Sequence, residues 1–185
     1  MLDISSLTNK QIYLKSSPKD KLLEDNFEFI NSKVKDLDHN QVLVEVVYIS
    51  IDAANRAWMQ GRTYRSQILP GDVMGGYALG KVIATNNNNF NIGDYVEGDL
   101  GWQNYAIRDA KELIKTSIKA SENLHMSVLG ITGKTAYFGL GLADLKKGET
   151  VLISAAAGAV GNVAGQIAKI KGCKVIGITS SDEKA

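Results

Sequence analysis

The chain has 185 residues, with 21 basic and 20 acidic side chains and a net charge of +1, so nothing electrostatic points to nucleic acid or an anionic membrane as a partner. Apolar residues at 44% and charged residues at 22% fit a soluble globular protein, and the length suits one domain or two small ones. A single cysteine, Cys173, and an N-terminus (MLDISSLTNK) without a basic-then-apolar signal pattern lead to the expectation of a cytoplasmic protein.

The first two thirds read as short strands. QIYL (Gln11 to Leu14) and FEFI (Phe27 to Ile30) are brief β-prone runs separated by polar residues. QVLVEVVYISI (Gln41 to Ile51) is rich in Val and Ile, too β-branched to favour a helix. YALGKVIAT (Tyr77 to Thr85) follows the turn-rich LPGDVMGG. The run NNNNFNIGDYVEG then gives a polar hairpin tip, a Gly-Asp turn and a new strand. GWQNYAIRD and ELIKT complete a pattern of short strands and frequent turns that predicts a barrel or sandwich. Near Ser121, a candidate N-cap, helix formers take over, with Gly130 and Gly133 expected between two short helical stretches.

The C-terminal part raises a different question. From Val151 to Ala168 there are 18 residues without a charge, the length at which a membrane helix must be considered. The run resolves instead into a strand, TVLIS, a small-residue turn, AAAGAVG, and an amphipathic helix. Val160, Val163, Ala164, Ile167 and Ile170 are expected on one face of that helix, with Gly172 as its cap. KVIGIT follows as a second strand, which makes a βαβ unit. A turn of small residues after a strand lets backbone amides approach a pyrophosphate at a helix N-terminus. The dinucleotide fingerprint G-x-G-x-x-G falls on Ala156, Gly158 and Gly161, so its first glycine has become alanine.

ITGKTAYFGL, GETVLISAAAGAVGNVAGQIAKIKGCKVIGITSSDEK, GWQNYAI and VYISIDAANR together resemble the zinc-independent medium-chain dehydrogenase/reductases. The branch they are most similar to is that of the prostaglandin reductases and leukotriene B4 12-hydroxydehydrogenases, with the alkenal double-bond reductases. The resemblance implies a GroES-like β domain over residues 1–120, a helical connection over 121–149, and the start of a Rossmann domain over 150–185. It implies NADP(H) as cofactor and reduction of a carbon–carbon double bond conjugated to a carbonyl, in a small-molecule enone, alkenal or quinone. A homodimer is implied as well, and neither nucleic acid nor membrane is an expected partner. Two alternatives stay open: a quinone reductase of the same superfamily, and a non-catalytic barrel with a binding or structural role. A doubly wound dinucleotide domain has two βαβαβ halves, and only the first βαβ is present. The chain is therefore expected to be inactive alone, with the donor Tyr for the enolate oxygen beyond residue 185.

The resemblance also carries site expectations. Gly158, Ala159, Val160 and Gly161 are the pyrophosphate contacts, and Thr135 approaches the nicotinamide end. Asn55, Arg56 and Tyr64 are candidate substrate contacts, although the family's DPYMR has become DAANR here. NAD-binding domains hold the ribose 2′-hydroxyl with an acid about 20 residues past the glycine turn. That place holds Thr179, Ser180 and Ser181, with Lys184 beyond, which points to a 2′-phosphate; Asp182 and Glu183 are expected to face solvent. No metal is expected: the two histidines and one cysteine are far apart in sequence, and a hydrogen-bond donor can receive enolate charge.

Overall fold

The β-prone runs of the sequence become strands, with bounds that shift by a few residues in places. In the first unit these are β1 (Thr8–Leu14), β2 (Phe27–Lys33), β3 (Gln41–Ile49), β4 (Tyr77–Thr85), β5 (Tyr95–Asp99), β6 (Tyr105–Asp109) and β7 (Ile114–Thr116). The computed structural model describes residues 3–118 and 121–185, which form two compact units, 1–119 and 120–185. A boundary expected at residue 120 lies outside the described residues.

Strands β6, β3, β4, β5 and β7 form one antiparallel sheet in that order. β1 and β2 pair as a hairpin, and β1 also bonds to the segments beside the sheet. Ile12 donates to the carbonyl of Trp102 (2.9 Å) and accepts from Met74 (2.8 Å). Val42, Val44, Val82, Val96 and Leu100 fill the core, all at 0% exposure. A second cluster gathers Leu14, Trp58, Met59, Ile68 and Met74. This is the GroES-like barrel architecture expected from the sequence.

One element was not expected. The segment after β3 is a helix, α1 (Ala53–Gln60), and β3 stops at Ile49 rather than Ile51. The signal lies in Asp52 and Asn55. The Asp52 side chain accepts from the amide of Ala54 (2.8 Å), and the Asn55 side chain accepts from the amide of Asp52 (2.7 Å), a reciprocal cap.

The second unit holds α2 (Glu122–Met126), α3 (Ile131–Leu142), β8 (Thr150–Ile153), α4 (Ala159–Ile170) and β9 (Lys174–Gly177). β8 and β9 pair in parallel, joined through α4, as the βαβ reading requires. Ser121 precedes α2 but makes no side-chain capping bond. Gly133 lies inside α3 rather than between the helices. A Cβ there would fall 1.7 Å from the Val128 carbonyl oxygen, so the segment before the helix folds directly against it.

The buried stripe of α4 also differs from expectation. Ala164 and Ala168 face inward, whereas Ile170 is 85% exposed. Lys171 is the helix cap, and Gly172 follows it with φ +82, the left-handed turn that ends the helix. Among the described residues no helix is long and apolar enough to cross a membrane.

Candidate functional site

The turn from β8 into α4 is shaped by close contacts on both sides. Ala155 takes a left-handed conformation, with φ +48, which is unusual for a residue bearing a Cβ. The next residue, Ala156, donates to the carbonyl of Ile178 (3.0 Å), and Ile178 donates to that of Ile153 (2.9 Å). These bonds tie the turn to the chain leaving β9. Gly158 caps α4: its own amide reaches Ala155 (2.8 Å), and its carbonyl accepts the amide of Asn162 (2.8 Å). The amides of Ala159, Val160 and Gly161 then form the first turn, where a helix has no internal acceptors for them. Gly161 must be a glycine, because a Cβ would stand 2.3 Å from the Ala155 oxygen.

Beyond β9 the chain turns at Thr179 to Lys184. Lys184 Nζ donates to Ser180 Oγ (3.2 Å), and Thr179 Oγ1 donates to the carbonyl of Ser181 (2.9 Å). Ala155, Ala157, Gly158, Ile178, Thr179, Ser180 and Lys184 line one cavity of about 470 Å³. Its lining includes one cation and no carboxylate; Asp182 and Glu183 are exposed and take no part in it. The structure therefore brings Gly158, Ser180 and Lys184 into a single cavity, with Ala159, Val160 and Gly161 in the helical turn that follows. A helix N-terminus and a lysine favour an anion there. The sequence reading missed Ala155, whose left-handed backbone has no compositional signature.

Thr135 is not part of this cavity. It lies exposed on α3, and its hydroxyl donates to the Ile131 carbonyl one turn back (2.7 Å). In the first unit, the three candidate substrate contacts have other neighbours. Asn55 is 3% exposed, and its amide nitrogen donates to the Gly75 carbonyl (3.1 Å) while its oxygen caps α1. Arg56 donates through Nη2 to the Asp20 carbonyl. Tyr64 is 83% exposed and meets Trp58 edge-on at 6.0 Å. Its neighbour Arg65, unremarked in the sequence, stacks over Trp58 at 4.5 Å and pairs with Asp99 at 2.6 Å.

A family model described as the N-terminal domain of oxidoreductase matches residues 10–116. The chain belongs to this oxidoreductase family. It is 40% identical over 164 residues to prostaglandin reductase 1 of Mus musculus, which covers 86% of this chain and 48% of that protein. The NADPH-dependent curcumin reductase of Escherichia coli (strain K12) is 35% identical over 179 residues, covering 95% of this chain and 52% of that one. Among solved structures, CurA from Vibrio vulnificus in complex with NADPH superposes with a TM-score of 0.85 at 35% identity. That match covers 94% of this chain and 52% of that chain. The resemblance to the prostaglandin reductase branch of the medium-chain dehydrogenase/reductases thus holds for this chain. The chain spans about half the length of the curated relatives it matches. Among the described residues, no group of three or more His, Cys, Asp or Glu side chains is placed to hold a metal ion.

Proposed function

We propose that this oxidoreductase chain carries the adenosine-phosphate half of an NADP(H) site, within an enzyme that reduces a carbon–carbon double bond conjugated to a carbonyl. One observation carries the reading: the start of α4 and the Thr179, Ser180 and Lys184 cluster line the same cavity. The residues fit the cofactor. Gly161 lets α4 start directly against the Ala155–Ala156 turn, and hydroxyls with a lysine stand where a 2′-hydroxyl reader would place an acid.

In this reading the amides of Ala159, Val160 and Gly161 take the pyrophosphate. Ser180 and Lys184 take the 2′-phosphate, and Ile178 gives the adenosine an apolar wall. When bound, NADPH supplies hydride to the β-carbon of the enone. The similarity to prostaglandin, curcumin and alkenal reductases supports that substrate class. Asn55 makes no substrate contact in this reading, because its polar atoms are already engaged inside the first unit.

Titration calorimetry of the 185-residue chain with 2′,5′-ADP and with 5′-AMP tests the cofactor reading. The chain is expected to prefer 2′,5′-ADP. Replacing Lys184 with Ala should weaken that ligand about tenfold or more, as for a charge-assisted hydrogen bond of ~1.5–3 kcal/mol, and leave 5′-AMP nearly unchanged. Equal weakening of both ligands would remove Lys184 from the 2′-phosphate. For the substrate class, a full-length version would be assayed with NADPH on an alkenal and on a quinone. Turnover of the quinone alone would replace the enone reading.

A further inference from the structure

Gly177 ends β9 in an exposed position, and its φ is not in the left-handed range, so nothing in its own backbone calls for a glycine. A glycine in a strand weakens it and usually marks a close approach of something else. The approach here is specific. A Cβ at residue 177 would lie 2.7 Å from the Cβ of Ala156 and meet no other atom within 4 Å. Ala156 is the residue that stands at the first glycine of the dinucleotide fingerprint. The methyl group gained at 156 is matched by a side chain absent at 177.

The contact joins the two walls of the cavity. On one side, Gly161 of α4 presses on the turn, its virtual Cβ 2.9 Å from the Ala156 Cα. On the other, Ala156 bonds to Ile178, one residue before Thr179 and two before Ser180. We infer that Gly177 is a positioning residue: by leaving room for the Ala156 methyl it sets the distance between the start of α4 and the phosphate-reading end of β9. This rests on the NADP(H) reading of the cavity. A methyl at 177 would force the two chains apart by about 1 Å, since carbon atoms pack at roughly 3.5–4.0 Å. A ligand whose 2′-phosphate must reach Ser180 and Lys184 then loses more than one without that phosphate.

The test is a pair of variants of the full 185-residue chain, Gly177→Ala and the double variant Ala156→Gly/Gly177→Ala, titrated with 2′,5′-ADP and 5′-AMP. Gly177→Ala should bind 2′,5′-ADP about tenfold more weakly and lose much of its preference over 5′-AMP, as overpacking between two elements predicts. The double variant should recover 2′,5′-ADP affinity to within about threefold, the non-additivity expected of residues in contact. The loss of preference is something a general loss of stability, which weakens both nucleotides alike, would not show. Unchanged binding in Gly177→Ala overturns the inference, and so does a double variant that binds as weakly as the single one. If Gly177→Ala does not fold, a folded double variant with restored binding supports the inference, and a double variant without it overturns it. A parent chain that ignores 2′,5′-ADP altogether brings down the cofactor reading first, and this inference with it.

Discussion

Asn55 shows how a residue's chemistry can be legible while its task is not. Resemblance placed it in a substrate cleft because it lies in the segment corresponding to DPYMR. The structure uses its amide twice, for the cap of α1 and for the Gly75 carbonyl, at 3% exposure. Removing it leaves a buried carbonyl and a helix-end amide without partners. Asn55→Ala should therefore destabilise the first unit by ~1–3 kcal/mol, visible as a lower midpoint in thermal unfolding. The affinity for 2′,5′-ADP should not change, because Asn55 is not part of that cavity. For Lys184 the charge and the spacing from the glycine turn were both readable, and the structure adds its bond to Ser180 and its place in the cavity lining.

At the scale of elements, strands were readable wherever Val and Ile crowd together, and β4 runs over the residues expected, Tyr77 to Thr85. α1 escaped notice because its cap is Asp and Asn rather than the Ser or Thr with Glu of the usual capping box. The stripe of α4 was misjudged at Ile170, since periodicity cannot tell which face of a helix its neighbours cover. The loop before β5 offers a pH test of one such element. Asp94 pairs with Lys115 of β7 at 2.6 Å and accepts from the Asn91 amide at 2.7 Å. The Lys115 hydrogen bond, followed by that amide, holds its carboxyl below the ordinary value of 3.8. A carboxyl with a lower pKa when folded stabilises the fold above its ordinary value, and that contribution is lost as pH falls through the folded value. Asp94→Asn should melt below the parent at neutral pH, and the gap should close as the solution is acidified past the carboxylate range. A gap that persists there would mean that the charge is not what Asp94 contributes.

For the whole molecule, the difference between the two units is one of core size. Among the described residues, the largest fully buried side chains, Leu14, Leu43, Met59, Met74, Leu79 and Leu100, all belong to the first unit. The buried residues of the second are small: Ala136, Ala164, Ala168 and Cys173. Several of its larger apolar groups are open, with Leu142 91%, Leu152 63% and Ile176 45% exposed, so one face of the β8–β9 pair lies bare. Parallel strands are ordinarily covered on both faces, and few buried contacts mean a low free energy of local opening. Hydrogen exchange of the 185-residue chain should accordingly show β3 and β4 protected to the level of global unfolding, with β8, α4 and β9 exchanging faster. Saturating 2′,5′-ADP should slow exchange in the second unit alone, because a ligand that binds only the folded form stabilises it by mass action. Uniform strong protection from Val151 to Thr179 in a demonstrated monomer would contradict the core-size argument. Ligand protection that appeared in β3 and β4, and not around Gly158 and Lys184, would place the nucleotide elsewhere.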